Sequence, residues 1–207
     1  MTIPYWIPGR TIDLTELGPS ELTVESIADA LAKVNRFNGR TPEPWPVTSH
    51  SVLVERLCPP GLGPWALLHD AHESILGDIT TPSLDYIARF GRLPRLEEGL
   101  AVAKGRIDRA IGAAWNVAVR SLSQTIRRAD RIALQAEASL FLGTQPVLME
   151  PADEEDIDRA ASILMDLPVT SDWRVSRDLW IARVEHYSHL GAMTPPRATD
   201  PVCALQA

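Results

Sequence analysis

The chain has 207 residues, 45% of them apolar, and a formal charge of −7. That is enough apolar chain for one domain with a full core, and the acidic balance excludes stable nucleic-acid binding while leaving room for a small anion met by a few local arginines. Cys58 and Cys203 form neither a disulfide framework nor a CxxC metal site. No apolar run approaches the ~18 residues that cross a bilayer, and no leader pattern follows Met1. A cytoplasmic protein without membrane association is expected.

Residues 1–19, with Pro4, Pro8, Gly9, Gly18 and Pro19, read as an irregular arm with a short strand near 5–7. Leu22, Val24, Ile27, Ala28, Leu31 and Val34 keep a helical period, with Ser20 or Thr23 as cap. "NGRTPEPWP" (38–46) is a loop, and a helix begins near Thr48 and runs to 57. "CPPGLGP" breaks it, a helix over 65–77 follows, and Gly77 ends that one. Pro82 opens a short helix through Phe90. Further helices are predicted over 95–114, over 121–142 capped by Ser121 or Ser123, from the acidic "PADEED" turn onward, and over 176–193. No alternating strand series and no repeat appears. The expectation is all-α: a single helical bundle of about seven helices over 20–193, ending in a flexible tail at 194–207.

The helix "WALLHDAHESILG" carries His69, Asp70, His72 and Glu73 on an otherwise apolar segment, with Asp78 just beyond. His69 and Glu73 are four apart and Asp70 and Glu73 three apart, so they share a helix face. Such a group suits a metal ion with a neighbouring carboxylate that positions or deprotonates water. His50, among Val52, Leu53 and Val54, is the best third ligand, and Asp130, among Ile126, Ala129, Ala133 and Leu134, the best fourth. A buried carboxylate needs a partner, and a shared cation supplies one. Alone, His50 reads as a hydrogen-bonded core residue and Asp130 as an ion-pair partner of Arg127, Arg128 or Arg131. The order H…HD…D on apolar-flanked helices is far more specific than any one of them. Glu137 lies two turns beyond Asp130 on the same face and reads as an orienting group.

These residues resemble the HD-domain phosphohydrolase superfamily, and are most similar to its 5′-deoxynucleotidase-like branch. The matching stretches are "NRFNGR" (35–40), "VTSH" (47–50), "ALLHDAHESILGDITTP" (66–82) and "ADRIALQAE" (129–137). The resemblance covers about residues 20–140 and is loose after 145. It implies that His50, His69, Asp70 and Asp130 bind one divalent ion, for which this mixed donor set suits Mn, Co, Fe, Zn or Ni. It implies that Glu73 activates water, that Asp78 is its acid–base partner, and that Arg36 grips phosphate. Phe37 falls beside the sugar, and Thr80, Thr81 and Pro82 border the nucleoside. A second Mg or Mn accompanies a triphosphate substrate. The implied activity is phosphate removal from deoxynucleoside monophosphates, with triphosphohydrolysis of deoxynucleoside triphosphates of the dATP-directed phage type, or an inactive nucleotide-binding module, as alternatives. A homo-oligomer is the family expectation.

Other residues keep two readings. Arg40 is a second phosphate contact or a solvated charge, Trp45 stacks on a base or packs the loop, and Asn38 bonds a base edge or makes a turn. His72 reads as a residue behind or beside the site. His186 and His189 read as surface or interface groups, and Trp115, Trp173 and Trp180 as packing residues.

Overall fold

The structure, a computed structural model, describes residues 2–144, 146 and 151–198. The expected tail from 199 onward and Cys203 lie outside the described residues. The fold is mostly α, a helical bundle with one small hairpin. The arm is more ordered than expected: β1 (Pro4–Ile7) pairs antiparallel with β2 (Arg10–Asp13), Tyr5 opposite Ile12. Asp13 then accepts from the Thr15 and Ile3 backbone N–H groups and fixes the exit of the hairpin.

Thr23 caps α1 (Val24–Leu31), accepting from the Ser26 N–H, and the buried face is the apolar set read from the period. The chain leaves helical geometry before Arg36 and makes a loop closed at its neck. There the Arg36 N–H donates to the Trp45 carbonyl at 2.9 Å and the Val47 N–H to the Val34 carbonyl at 3.0 Å. The next helix, α2 (Val47–Leu57), is buried from Val47 to Glu55 and packs on α1, on α3 (Gly63–Leu68), on α7 (Gln124–Leu142), on α8 (Glu154–Met165) and on α9 (Trp173–His189). Buried charge needs a partner, and the buried titratable groups of this helix, His50 and Glu55, have ionic ones. Glu55 receives Arg183 at 2.8 Å and the Tyr187 hydroxyl from α9.

The helix expected over 65–77 is instead two. α3 ends at Leu68, α4 (Glu73–Leu76) follows, and His69–His72 between them form a tight turn. The N–H groups of Ala71, Glu73, Ser74 and Ile75 each bond three residues back rather than four, the 3₁₀ pattern. Gly77 ends α4 at φ 75°, a backbone state costly for other residues. α5 (Thr81–Phe90), which buries no residue, and α6 (Leu96–Trp115) pack on each other. Ser123 caps α7, Asp172 caps α9, and Glu154, Glu155 and Asp156 fill the first turn of α8. Trp115 and Trp180 meet edge to face at 6.0 Å in the core, as packing residues should, and donate to the Leu22 and Leu67 carbonyls. Trp173 instead lies half-buried under Lys33, Arg174 and Arg177.

The expected tail begins as a strap. The Pro196 carbonyl accepts from the Val24 N–H at the start of α1, the Thr194 N–H donates to the Trp115 carbonyl, and Arg197 reaches Glu25 and Glu185. Orphan donors at a helix N-terminus need acceptors, and residues 194–198 supply one.

Two glycines test the packing. A Cβ at Gly63 would overlap the Tyr187 hydroxyl, itself held by Glu55, whereas a Cβ at Gly99 meets nothing within 4 Å. Gly63→Ala is expected to lower unfolding stability by about 1–3 kcal/mol, and Gly99→Ala to leave it unchanged or raise it by up to about 1 kcal/mol. Urea unfolding of both variants checks the pair.

Candidate metal centre

The centre is built from the bottom by Glu137. This carboxylate is fully buried on α7. Its Oε1 accepts from Trp45 Nε1 at 2.9 Å and stands 2.8 Å from His50 Nδ1, and its Oε2 accepts from Arg36 Nη2 at 3.4 Å. Burial works against its charge, but His50 and Arg36 hold the carboxyl below its usual range. An ionised carboxylate only accepts, so His50 Nδ1 carries the hydrogen and donates it. In the neutral ring Nε2 is then a bare lone pair.

That lone pair does not face a donor. His50 Nε2 lies 3.1 Å from Asp130 Oδ1 and 3.6 Å from Asp70 Oδ2. His69 repeats the arrangement: its Nδ1 donates to the Ala66 carbonyl at 2.8 Å, and its Nε2 lies 3.1 Å from Asp70 Oδ2 and 4.0 Å from Asp130 Oδ1. Both Nε2 atoms are buried and without a hydrogen-bond partner. The four side chains each present a ligand atom, all within 4.8 Å of one another.

Two lone pairs and two carboxylates aimed at one point repel unless positive charge sits among them. Protons on the imidazoles are one source: burial and Arg36 oppose the charged form of His50, yet Glu137 and Asp130 push its pKa up to about 10. A divalent cation is the other, and it supplies at one point what two protons supply at two. Two neutral imidazoles and two carboxylates are a donor set that divalent Mn, Fe, Co, Ni and Zn accept. The residues fit the ion, and the four ligands expected from the sequence are the four brought together.

The 3₁₀ turn sets the other side of the site. Side chains three apart eclipse when the helix tightens, which brings Glu73 in line with Asp70. Burial first, then the charges of Asp70 and Asp78, push the Glu73 carboxyl up to about 9, and its Oε2 is a buried atom with no partner. Burial likewise raises Asp78, with Asp70 adding to it and Arg36 opposing. Asp70 is opposite in sign: burial disfavours its charge, but His69, His50 and His72 hold it well below the carboxylate range. Neighbouring carboxyls are thus pushed apart in acidity, as they are in acid–base sites and in buried ion-pair networks alike.

Arg36 stands beside Asp70 and Glu137. Its Nη1 is 3.9 Å from Asp70 Oδ2 and its Nε is buried without a partner. Burial opposes its charge, and Glu137, Asp130, Asp70 and Asp78 outweigh burial. Phe37 lies beside it, ring centroid 5.8 Å from the guanidinium carbon, part-exposed and at φ 55°. Asn38 is also left-handed at φ 53°. For a phenylalanine this state costs roughly 1–2 kcal/mol, so the turn is held by its surroundings. Asn38 Nδ2 donates to Ser83 Oγ at 3.2 Å and Thr80 Oγ1 at 3.4 Å, tying the loop to the start of α5. Thr80 is half-buried, and Thr81 and Pro82 are exposed at that start, as is Arg40 on the loop.

Trp45 is corrected. It is fully buried, packs on Phe141 at 5.0 Å and donates to Glu137, so it has no face for a substrate and supports the centre from behind. The sequence reading also missed the partner of His72. This histidine is buried, its Nδ1 is 2.9 Å from Asp108 Oδ1, and Asp108 Oδ2 accepts from Ser121 Oγ at 2.6 Å. The signal was present: Asp108 sits between Ile107 and Ile111 on the buried face of α6.

No family model matches the chain. An uncharacterized protein of Rhodobacter capsulatus is 37% identical over 170 residues, covering 71% of this chain and 87% of that protein. The chain belongs to the family of that protein. Among the described residues no helix is long and apolar enough to cross a membrane.

The support role of Glu137 gives a direct test. Glu137→Gln keeps the shape, removes the charge and sets an amide N–H₂ against donors. Outer carboxylates of this kind are worth about 10–100-fold in metal affinity, so Mn(II) binding followed by calorimetry is expected to weaken by that factor.

Proposed function

We propose that this chain is a metal-dependent phosphohydrolase acting on deoxynucleotides, with deoxynucleoside monophosphates as its substrates. The observation that carries the reading is the pair of buried, unpartnered imidazole Nε2 atoms aimed at Asp70 and Asp130, with Glu73 and Arg36 alongside. A cluster closed by its own hydrogen bonds would satisfy those nitrogens internally, whereas these are disposed toward a cation. The resemblance of "VTSH", "HDAHESILGD" and "ADRIALQAE" to the HD-domain phosphohydrolases supports the same chemistry.

When bound, a divalent ion at His50, His69, Asp70 and Asp130 supplies Lewis-acid polarisation of a phosphoryl group and of water. The chain does the rest. Arg36 presents a permanent guanidinium to phosphate oxygens, whose negative charge grows as water attacks. Glu73, once ionised beside that charge, takes the proton of the attacking water. The water oxygen forms a bond to phosphorus, the bond to the 5′ oxygen breaks, and the leaving oxygen receives a proton from the Asp78 side of the site. Phe37, part-exposed beside Arg36, offers a flat apolar edge to the sugar.

The test is a panel of deoxynucleoside mono- and triphosphates with Mn(II) or Co(II). Orthophosphate release from the monophosphates is expected. Tripolyphosphate release from triphosphates would move the substrate class, and no cleavage of either, with no metal retained by a fresh preparation, would sink the reading. Asp70→Ala is expected to lose the ion. Glu73→Gln is expected to lower kcat by about 10²–10⁴-fold, the usual worth of a general base, while the first ion stays bound.

A further inference from the structure

Asp70 has a second imidazole on its other side, built as His50 is built. His72 is 5% exposed, and its Nδ1 faces a carboxylate, Asp108, that is itself buried and held by the Ser121 hydroxyl. The pattern repeats Glu137 behind His50, where Trp45 supplies the supporting donor. In both cases a carboxylate faces Nδ1 and turns the ring, so that Nε2 is the ring nitrogen left over. His72 Nε2 is buried with no hydrogen-bond partner. Glu73, 4% exposed, has an Oε2 in the same condition. Asp70, His72 and Glu73 each offer a ligand atom, and these lie within 4.8 Å of one another.

A plain packing dyad accounts for half of this. It explains why His72 and Asp108 are paired, but it leaves a buried nitrogen and a buried carboxyl oxygen unsatisfied. The two orphaned atoms do not bond each other either. A shared ligand removes both costs at once. A proton on Glu73 alone leaves the His72 lone pair bare.

We propose that Asp70, His72 and Glu73 hold a second divalent cation, with the Asp70 carboxylate shared between the two ions. The second ion is therefore held by the protein and does not arrive only with a triphosphate. Three protein ligands leave open positions, which suit water or a phosphate oxygen. Glu73 then gives one oxygen to the ion and keeps the other for the water proton. This rests on the metal centre proposed above, and the stoichiometry separates the two.

The experiment uses the full chain, stripped of metal and titrated with Mn(II). Wild type is expected to bind two ions per chain by elemental analysis. Its low-temperature paramagnetic resonance spectrum is expected to be that of an exchange-coupled pair, and Mn-soaked crystals should show two anomalous peaks flanking Asp70. His72→Asn is expected to keep one ion and show the spectrum of an isolated Mn(II). Glu73→Gln, which leaves the His72–Asp108 pair intact, is expected to do the same. One ion per chain in wild type, with an isolated spectrum that neither variant changes, overturns the second site and leaves the first standing. Two ions that survive both substitutions overturn it as well. No bound ion overturns both.

Discussion

The Glu137 carboxylate is the constraint on which the site depends. It lies two turns along α7 from Asp130, so a single helix face supplies both a ligand and the group that aims another ligand. Without its negative charge, three donors from three segments, Trp45, His50 and Arg36, would have no common acceptor in the core. Because Trp45 and Arg36 close the neck of the loop between α1 and α2, the same charge sets where that loop leaves the bundle. The loop in turn places Phe37 and Asn38 over the opening. A buried anion is tolerated when it is paired and hydrogen-bonded, and three donors converge on this one.

Asp70 plays the complementary part. It is one residue from His69, two from His72 and three from Glu73, on a turn whose N–H groups bond three residues back. At three residues per turn His69 stacks with His72 and Asp70 with Glu73, so two adjacent stacks replace the wider fan of an α-turn. Its apolar neighbours Leu67, Leu68 and Ala71 are buried and pin the backbone while the polar groups converge.

Most helices could be read from periodicity, because α1, α6 and α7 bury faces that repeat at helical spacing. The four metal-ligand candidates were legible too, since each is a titratable residue among apolar ones. Three features were not. The break between α3 and α4 leaves the apolar spacing nearly unchanged, so hydropathy does not distinguish a straight helix from one tightened for a single turn. The burial of Trp45 depends on Glu137, 92 residues away, and no local pattern carries that. The docking of residues 194–198 combines a backbone bond accepted by the Pro196 carbonyl, one donated by the Thr194 N–H and the reach of Arg197 to Glu25, 172 residues away, which no local pattern carries.

The four ligand candidates are unequal in their access to water. His50 is sealed, His69 and Asp70 are nearly so, and the Asp130 side chain is 42% exposed. Among these four side chains Asp130 is therefore the one that meets solvent. A cation held by them would keep what hydration it retains on the Asp130 side, and its exchange with solvent would be easier past that carboxylate than past the sealed His50.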